Sequence, residues 1–118
     1  MKRVILTFCL VVLATGAASM SSGDLDFTLV NQTGLTIKEF YVSPSNNDAW
    51  GEDVLGRDVL ANAERVDITF SRKETECKWD IKIVDAEDDD IVWEDIDLCK
   101  ASEITLKYQG KHPTAIIK

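Results

Sequence analysis

The sequence predicts an all-β fold, a sandwich of about seven antiparallel strands. Three observations carry that expectation. Apolar and polar residues alternate through most of the chain, as in Leu25, Phe27 and Leu29, in Val66, Ile68 and Phe70, and in Ile104, Leu106 and Tyr108. Turn-forming residues recur at intervals of about 8–12 residues. No segment sustains the apolar period of about 3.6 residues that an amphipathic helix requires.

The start of the chain reads differently. Lys2 and Arg3 precede the almost wholly apolar run Val4 to Ala14, and Thr15-Gly16-Ala17-Ala18-Ser19 follows as a run of small residues. This is the layout of a secretory signal peptide. The apolar run is shorter than the roughly 20 residues a spanning helix needs. Residues 1–18 are therefore expected to be a signal peptide and residues 19–118 a single domain, periplasmic or secreted and not inserted in a membrane once the leader is gone. Cys9 lies inside the apolar run rather than after it, which argues against a lipid-carrying cysteine. The net charge is −8, and loss of Lys2 and Arg3 takes it to about −10. Such a surface disfavours nucleic acid and anionic membrane as partners and suits a basic one.

Within the domain, the first strand runs through Leu25 to Leu29. Asn31-Gln32-Thr33-Gly34 makes a turn, with Gly34 free to adopt positive φ. The same residues match an N-glycosylation sequon, but the turn reading is preferred. Leu35 to Ser43 forms a second strand whose alternation slips between Ile37 and Phe40, which implies a bulge or an edge. Pro44 ends it, because proline cannot donate to a ladder. The stretch to Gly56 is irregular, with a short helical turn expected around Trp50 to Leu55. Asp58-Val59-Leu60 reads as a short edge strand and Ala61 to Glu64 as a turn. Val66 to Phe70 is the next strand, and Ser71 to Glu76 a charged loop. Ile104, Leu106 and Tyr108 mark a late strand ended by Gly110, and Ala115-Ile116-Ile117 a short terminal one.

Between the charged loop and that late strand lies a hairpin bracketed by cysteines. Trp79 to Val84 and Ile91 to Trp93 flank the acidic turn Asp85 to Asp90. Centring the hairpin on Asp88 sets Cys77 opposite Cys99, and directly opposed residues lie about 4.5–5.5 Å apart at Cα, within disulfide reach. Cys77 and Cys99 are the two cysteines that survive removal of the leader, so in an oxidising compartment they are expected to pair. Ile96 and Leu98 break the parity of Ile91 and Trp93, which calls for a bulge near Glu94-Asp95 and a shifted pairing. The architecture expected from these elements is immunoglobulin-like in its general form.

Several stretches together resemble one family: L-V-N-Q-T-G-L-T-I from Leu29, Y-V-S-P-S from Tyr41, W-G-E-D-V-L from Trp50, and W-D-I-K-I-V-D and V-W-E-D-I-D-L-C in the hairpin. The chain is similar to a family of small exported bacterial proteins of unestablished function, and the likeness covers nearly the whole domain. Some members are labelled argininosuccinate lyase. This chain is too short for that helical enzyme and carries none of its catalytic segments. Members often place glycine in the turn where this chain has Glu87-Asp88-Asp89. The resemblance implies an exported compact domain and no activity.

Catalytic constellations are absent from the sequence. His112 is the sole histidine, no G-x-S-x-G motif accompanies it, and no glycine-rich phosphate loop occurs. A non-enzymatic binding or interaction domain is therefore expected, monomeric, with an unknown protein or glycan as partner. Its candidate contacts are Tyr41, Trp50, Glu52 and Asp53, because an aromatic beside acids offers contact area at low entropic cost. Two alternatives come from charge. Asp85, Glu87, Asp88, Asp89 and Asp90 offer carboxylate oxygens to calcium, which takes about six to eight of them, and a calcium-stabilised envelope domain would follow. The acidic surface also suits an inhibitor of a basic secreted hydrolase such as a lysozyme.

Overall fold

The computed structural model describes residues 2–5, 25–47, 49–71 and 73–118. Apart from Lys2–Ile5, the proposed leader, its cleavage region and Cys9 lie outside the described residues. The strands are β1 (Lys2–Ile5), β2 (Phe27–Gln32), β3 (Ile37–Pro44), β4 (Arg65–Thr69), β5 (Lys78–Asp85), β6 (Asp90–Asp97), β7 (Glu103–Gln109) and β8 (His112–Ile117). They form two sheets in the orders β1-β4-β2-β7-β8 and β3-β5-β6. Seven of them, β2 to β8, make the two-layer body that the alternation predicts.

The inner faces follow from period two. Leu29, Val66, Ile68, Ile104 and Leu106 of the larger sheet are fully or almost fully buried, as are Phe40, Ile81 and Ile83 of the smaller one. Burial of such side chains contributes about 1.5–3 kcal/mol each. Phe27, Phe70 and Trp79 stack at one end of the core, with ring centroids 6.3 and 5.1 Å apart. At the other end of the core Trp93 donates its indole N–H to the Thr114 carbonyl at 2.7 Å, which ties β6 to β8 across the layers.

One expectation needs correction. The sandwich is not antiparallel throughout: β2 pairs in parallel with β7, Leu29 beside Ile104, and β1 pairs in parallel with β4. The chain leaves β2 for β3, comes back beside β2 as the antiparallel β4, leaves again to complete the smaller sheet with β5 and β6, and reaches the other side of β2 as the parallel β7. A second correction concerns the Trp50–Leu55 region, where residues 54–57 form a turn and no helix develops. Gly51 and Gly56 raise the cost of helix there.

Both anticipated irregularities are present. The register of β3 against β5 shifts between Ile37 and Glu39, and that of β5 against β6 between Trp79 and Ile81, opposite the left-handed Asp95 (φ 58°). The hairpin turns one residue earlier than its symmetric reading, with Ile83 opposite Ile91. Past the bulge, Leu98 donates to the Cys77 carbonyl at 2.8 Å. Cys99 therefore sits in the 3-10 turn Leu98–Lys100, and its Cα lies 5.0 Å from that of Cys77, to which it is disulfide-bonded. The bond stands without the direct opposition that the symmetric hairpin implied.

The free edge of β3 is covered. Ile37 and Leu60 exchange backbone hydrogen bonds at 2.9 Å, Val54 donates to the Phe40 carbonyl at 2.8 Å, and Phe40 donates to the Asp53 carboxylate at 2.9 Å. The predicted short edge segment at Leu60 is this single antiparallel bridge to Ile37. Among the described residues, no helix is long and apolar enough to cross a membrane.

Candidate functional site

The four predicted contact residues divide between two surfaces. Tyr41 projects from the outer face of β3, in register with Lys82 of β5. The Lys82 ammonium lies 5.0 Å from the Tyr41 ring centroid and 4.9 Å from that of Trp50, which reaches it from the loop. Each such cation–π contact contributes about 0.5–1 kcal/mol at an exposed site. Tyr41 also donates its hydroxyl to Glu39 at 2.6 Å. That hydrogen bond, with desolvation and the negative charges of Glu39 and Asp53, pushes the phenol up to about 12. Tyr41 and Trp50 are thus brought together, and both are half-buried.

Asp53 has a structural task. Its carboxylate accepts from the Phe40 and Leu55 amides at 2.9 and 3.0 Å, so it closes the loop onto β3. Glu52 faces another way. It stands exposed at the rim of a hollow of about 420 Å³ at the end of the sandwich. Val42, Val54, Phe70 and Trp79 line that hollow as its apolar part, and Glu74, also exposed, lines it as well. Gly51 lines the mouth and has nothing within 4 Å of where a Cβ would lie.

Lys82 and the Phe70–Trp79 wall are the residues that the sequence reading missed. Lys82 had a signal: it occupies the outward parity of its strand, between the inward-facing Ile81 and Ile83. Phe70 and Trp79 alternate with polar neighbours as core residues do, and they are buried while also lining the hollow.

The acidic turn is organised by its own first residue. Asp85 is buried, and its carboxylate accepts from the Glu87 and Asp89 amides at 2.8 and 3.0 Å. Asp88 takes a left-handed backbone (φ 67°) and pairs with Lys38, whose pKa it raises, chiefly through their hydrogen bond. Glu87, Asp88, Asp89 and Asp90 are exposed. Among the described residues, only Cys77, Asp97 and Cys99 bring three ligand-type atoms within 4.8 Å of one another. There the sulfurs are joined in the disulfide, and Asp97 caps the following turn by accepting from the Cys99 amide at 3.0 Å.

Asn31 explains the N-x-T segment. Its side chain is fully buried, donates to the Leu35 and Leu60 carbonyls at 2.8 and 3.0 Å, and accepts from the Thr33 amide and hydroxyl. The amide nitrogen that a glycan would need is consumed in the turn, as the preferred reading expects.

No family model matches the chain, and no curated protein sequence does. Among solved structures, the chain is similar to the NMR structure of a protein from Eubacterium rectale, at 15% identity and a TM-score of 0.53. The alignment covers 84% of this chain and 94% of that one, so the likeness is one of whole-domain fold.

Proposed function

We propose that this chain is an exported, non-enzymatic binding domain that engages a protein or glycan at the end of its sandwich. The hollow beside Gly51 and Glu52 is the observation that carries this reading. Ligand sites are typically concave and mostly apolar with a few placed polar groups. Here an apolar lining is joined by the two carboxylates of Glu52 and Glu74. The acidic net charge of −8 adds long-range attraction for a basic partner. An inhibitor of a basic hydrolase is the more specific form of the same idea. The immunoglobulin-like form expected from the strand pattern and the resemblance to small exported bacterial proteins accord with this reading. Both support a compact extracytoplasmic module.

The test is differential capture from envelope and medium, with the intact protein as bait. Gly51→Trp adds an indole beside the hollow at a position with open space around its Cβ, and Glu52→Arg reverses the charge of one lining residue. Both variants are expected to melt with the wild type and to lose the captured partner. Capture that is indifferent to both substitutions overturns the site.

Calcium at the acidic tip remains a separate proposal, supported by the exposure of Glu87, Asp88, Asp89 and Asp90. A ligand that binds only the folded form raises its melting temperature. An unchanged melting curve between calcium and chelator would retire it.

A further inference from the structure

We propose that the outer edge of β4 accepts an extended basic–apolar strand from a partner protein, and that Lys2–Ile5 holds this edge closed in the full chain. The inference rests in part on the reading of residues 1–18 as a leader. Its structural basis is the parallel pairing of β1 on β4, with Lys2 beside Val66, Arg3 beside Asp67, Val4 beside Ile68 and Ile5 beside Thr69.

The other edges carry devices against pairing. The loop through Asp53 and Leu60 covers β3. Asp95 bends β6 with its left-handed backbone, and Pro113 removes a donor from β8. Such devices are how sheets avoid unwanted strands. β4 has neither proline nor bulge, and on the side away from β2 the strand that covers it is β1. Asn31 donates to the Glu64 carbonyl, so the antiparallel alternation turns the Arg65, Asp67 and Thr69 amides away from β2 and toward β1. If the leader is cleaved, this row of ladder groups loses its covering strand.

Strand addition supplies affinity through the main chain and selectivity through alternate side chains. The pattern seated on β4 is basic, basic, apolar, apolar, with Arg3 in register with Asp67. A domain of net charge −8 favours such a strand over an acidic one.

Amide exchange on two forms of the protein tests this. One is the full chain; the other is the exported chain, whose mass reports whether the leader has been removed. In the full chain, Val4→Pro takes an N–H out of β1. It is expected to speed exchange at the Asp67 and Thr69 amides at least about tenfold while the Val66 and Ile68 amides stay protected. In the processed chain, a synthetic peptide of residues 1–7 restores protection by at least about tenfold, and its Val4→Pro and Arg3→Glu variants do not. Exchange unaltered by Val4→Pro in the full chain, or equal protection by all three peptides, overturns the proposal. Concentration-dependent protection of the processed chain without peptide makes the occupant a second copy and also overturns it. An unprocessed mass overturns the opening step, and the full-chain comparison then decides the edge by itself.

Discussion

Asn31 ties three segments together, and its replacement should be among the costliest at any polar position. Leu has a similar size but leaves the Thr33 amide without its buried acceptor and takes from the Leu35 carbonyl its closer donor, with the Thr33 hydroxyl at 3.4 Å as the remaining one. Asn31→Leu is expected to lower stability by about 3 kcal/mol in urea unfolding, because each unpaired buried group costs about 1–3 kcal/mol. Ala63 offers the opposite case. It holds a left-handed backbone (φ 77°) in an exposed turn. An L-residue pays about 1–2 kcal/mol there, so Ala63→Gly should stabilise by a fraction of that after the glycine entropy cost. Tyr41 gives a pH signature. Its folded pKa of about 12 exceeds the ordinary 10.0, so the hydrogen bond to Glu39 stabilises fully below pH 10 and fades as pH rises through the folded value. Wild type and Tyr41→Phe should differ in stability at neutral pH and converge near pH 12, and the variant should lack the phenolate absorbance step near 12.

At the scale of elements, the cysteine hairpin was the most legible part of the chain. Alternation in Trp79, Ile81 and Ile83 fixed one strand, and the broken parity at Ile96 and Leu98 located the bulge beside Asp95. The register itself was off by a residue, because the acidic turn contains no glycine to mark its left-handed position, which Asp88 fills instead. Cys77 and Cys99 are 22 residues apart, so reduction or a Cys77→Ser/Cys99→Ser pair should cost about 3 kcal/mol in the chain-entropy model. The covered edge of β3 was half legible: the slip at Ile37 pointed to an edge, but nothing in Asp53 announced that its carboxylate would cap Phe40. Asp53→Ala strips the Phe40 and Leu55 amides of their acceptor and should cost about 1–2 kcal/mol, read as a lower denaturation midpoint. The candidate site divided for a related reason. Tyr41 and Trp50 turn to one face and Glu52 to another, since a loop without periodicity gives no clue to its side-chain directions.

For the molecule as a whole, alternation told which face each strand buries but not which strand lies beside which. That is why two layers were expected and the parallel seam between β2 and β7 was not. Thr28 to Gln32 pairs with Glu103 to Lys107, so the larger sheet depends on contacts between opposite ends of the domain. Such non-local pairing places refolding in the range of about milliseconds to seconds, which tryptophan fluorescence after rapid dilution would measure.

The same seam governs the order of events at birth. β2 precedes β7 and β8 in the chain and needs β7 to complete its sheet. A nascent polypeptide still lacking them has no means of closing its larger layer. Until β7 and β8 have formed, β2 pairs on one side alone, with β4, and the larger layer stays half open.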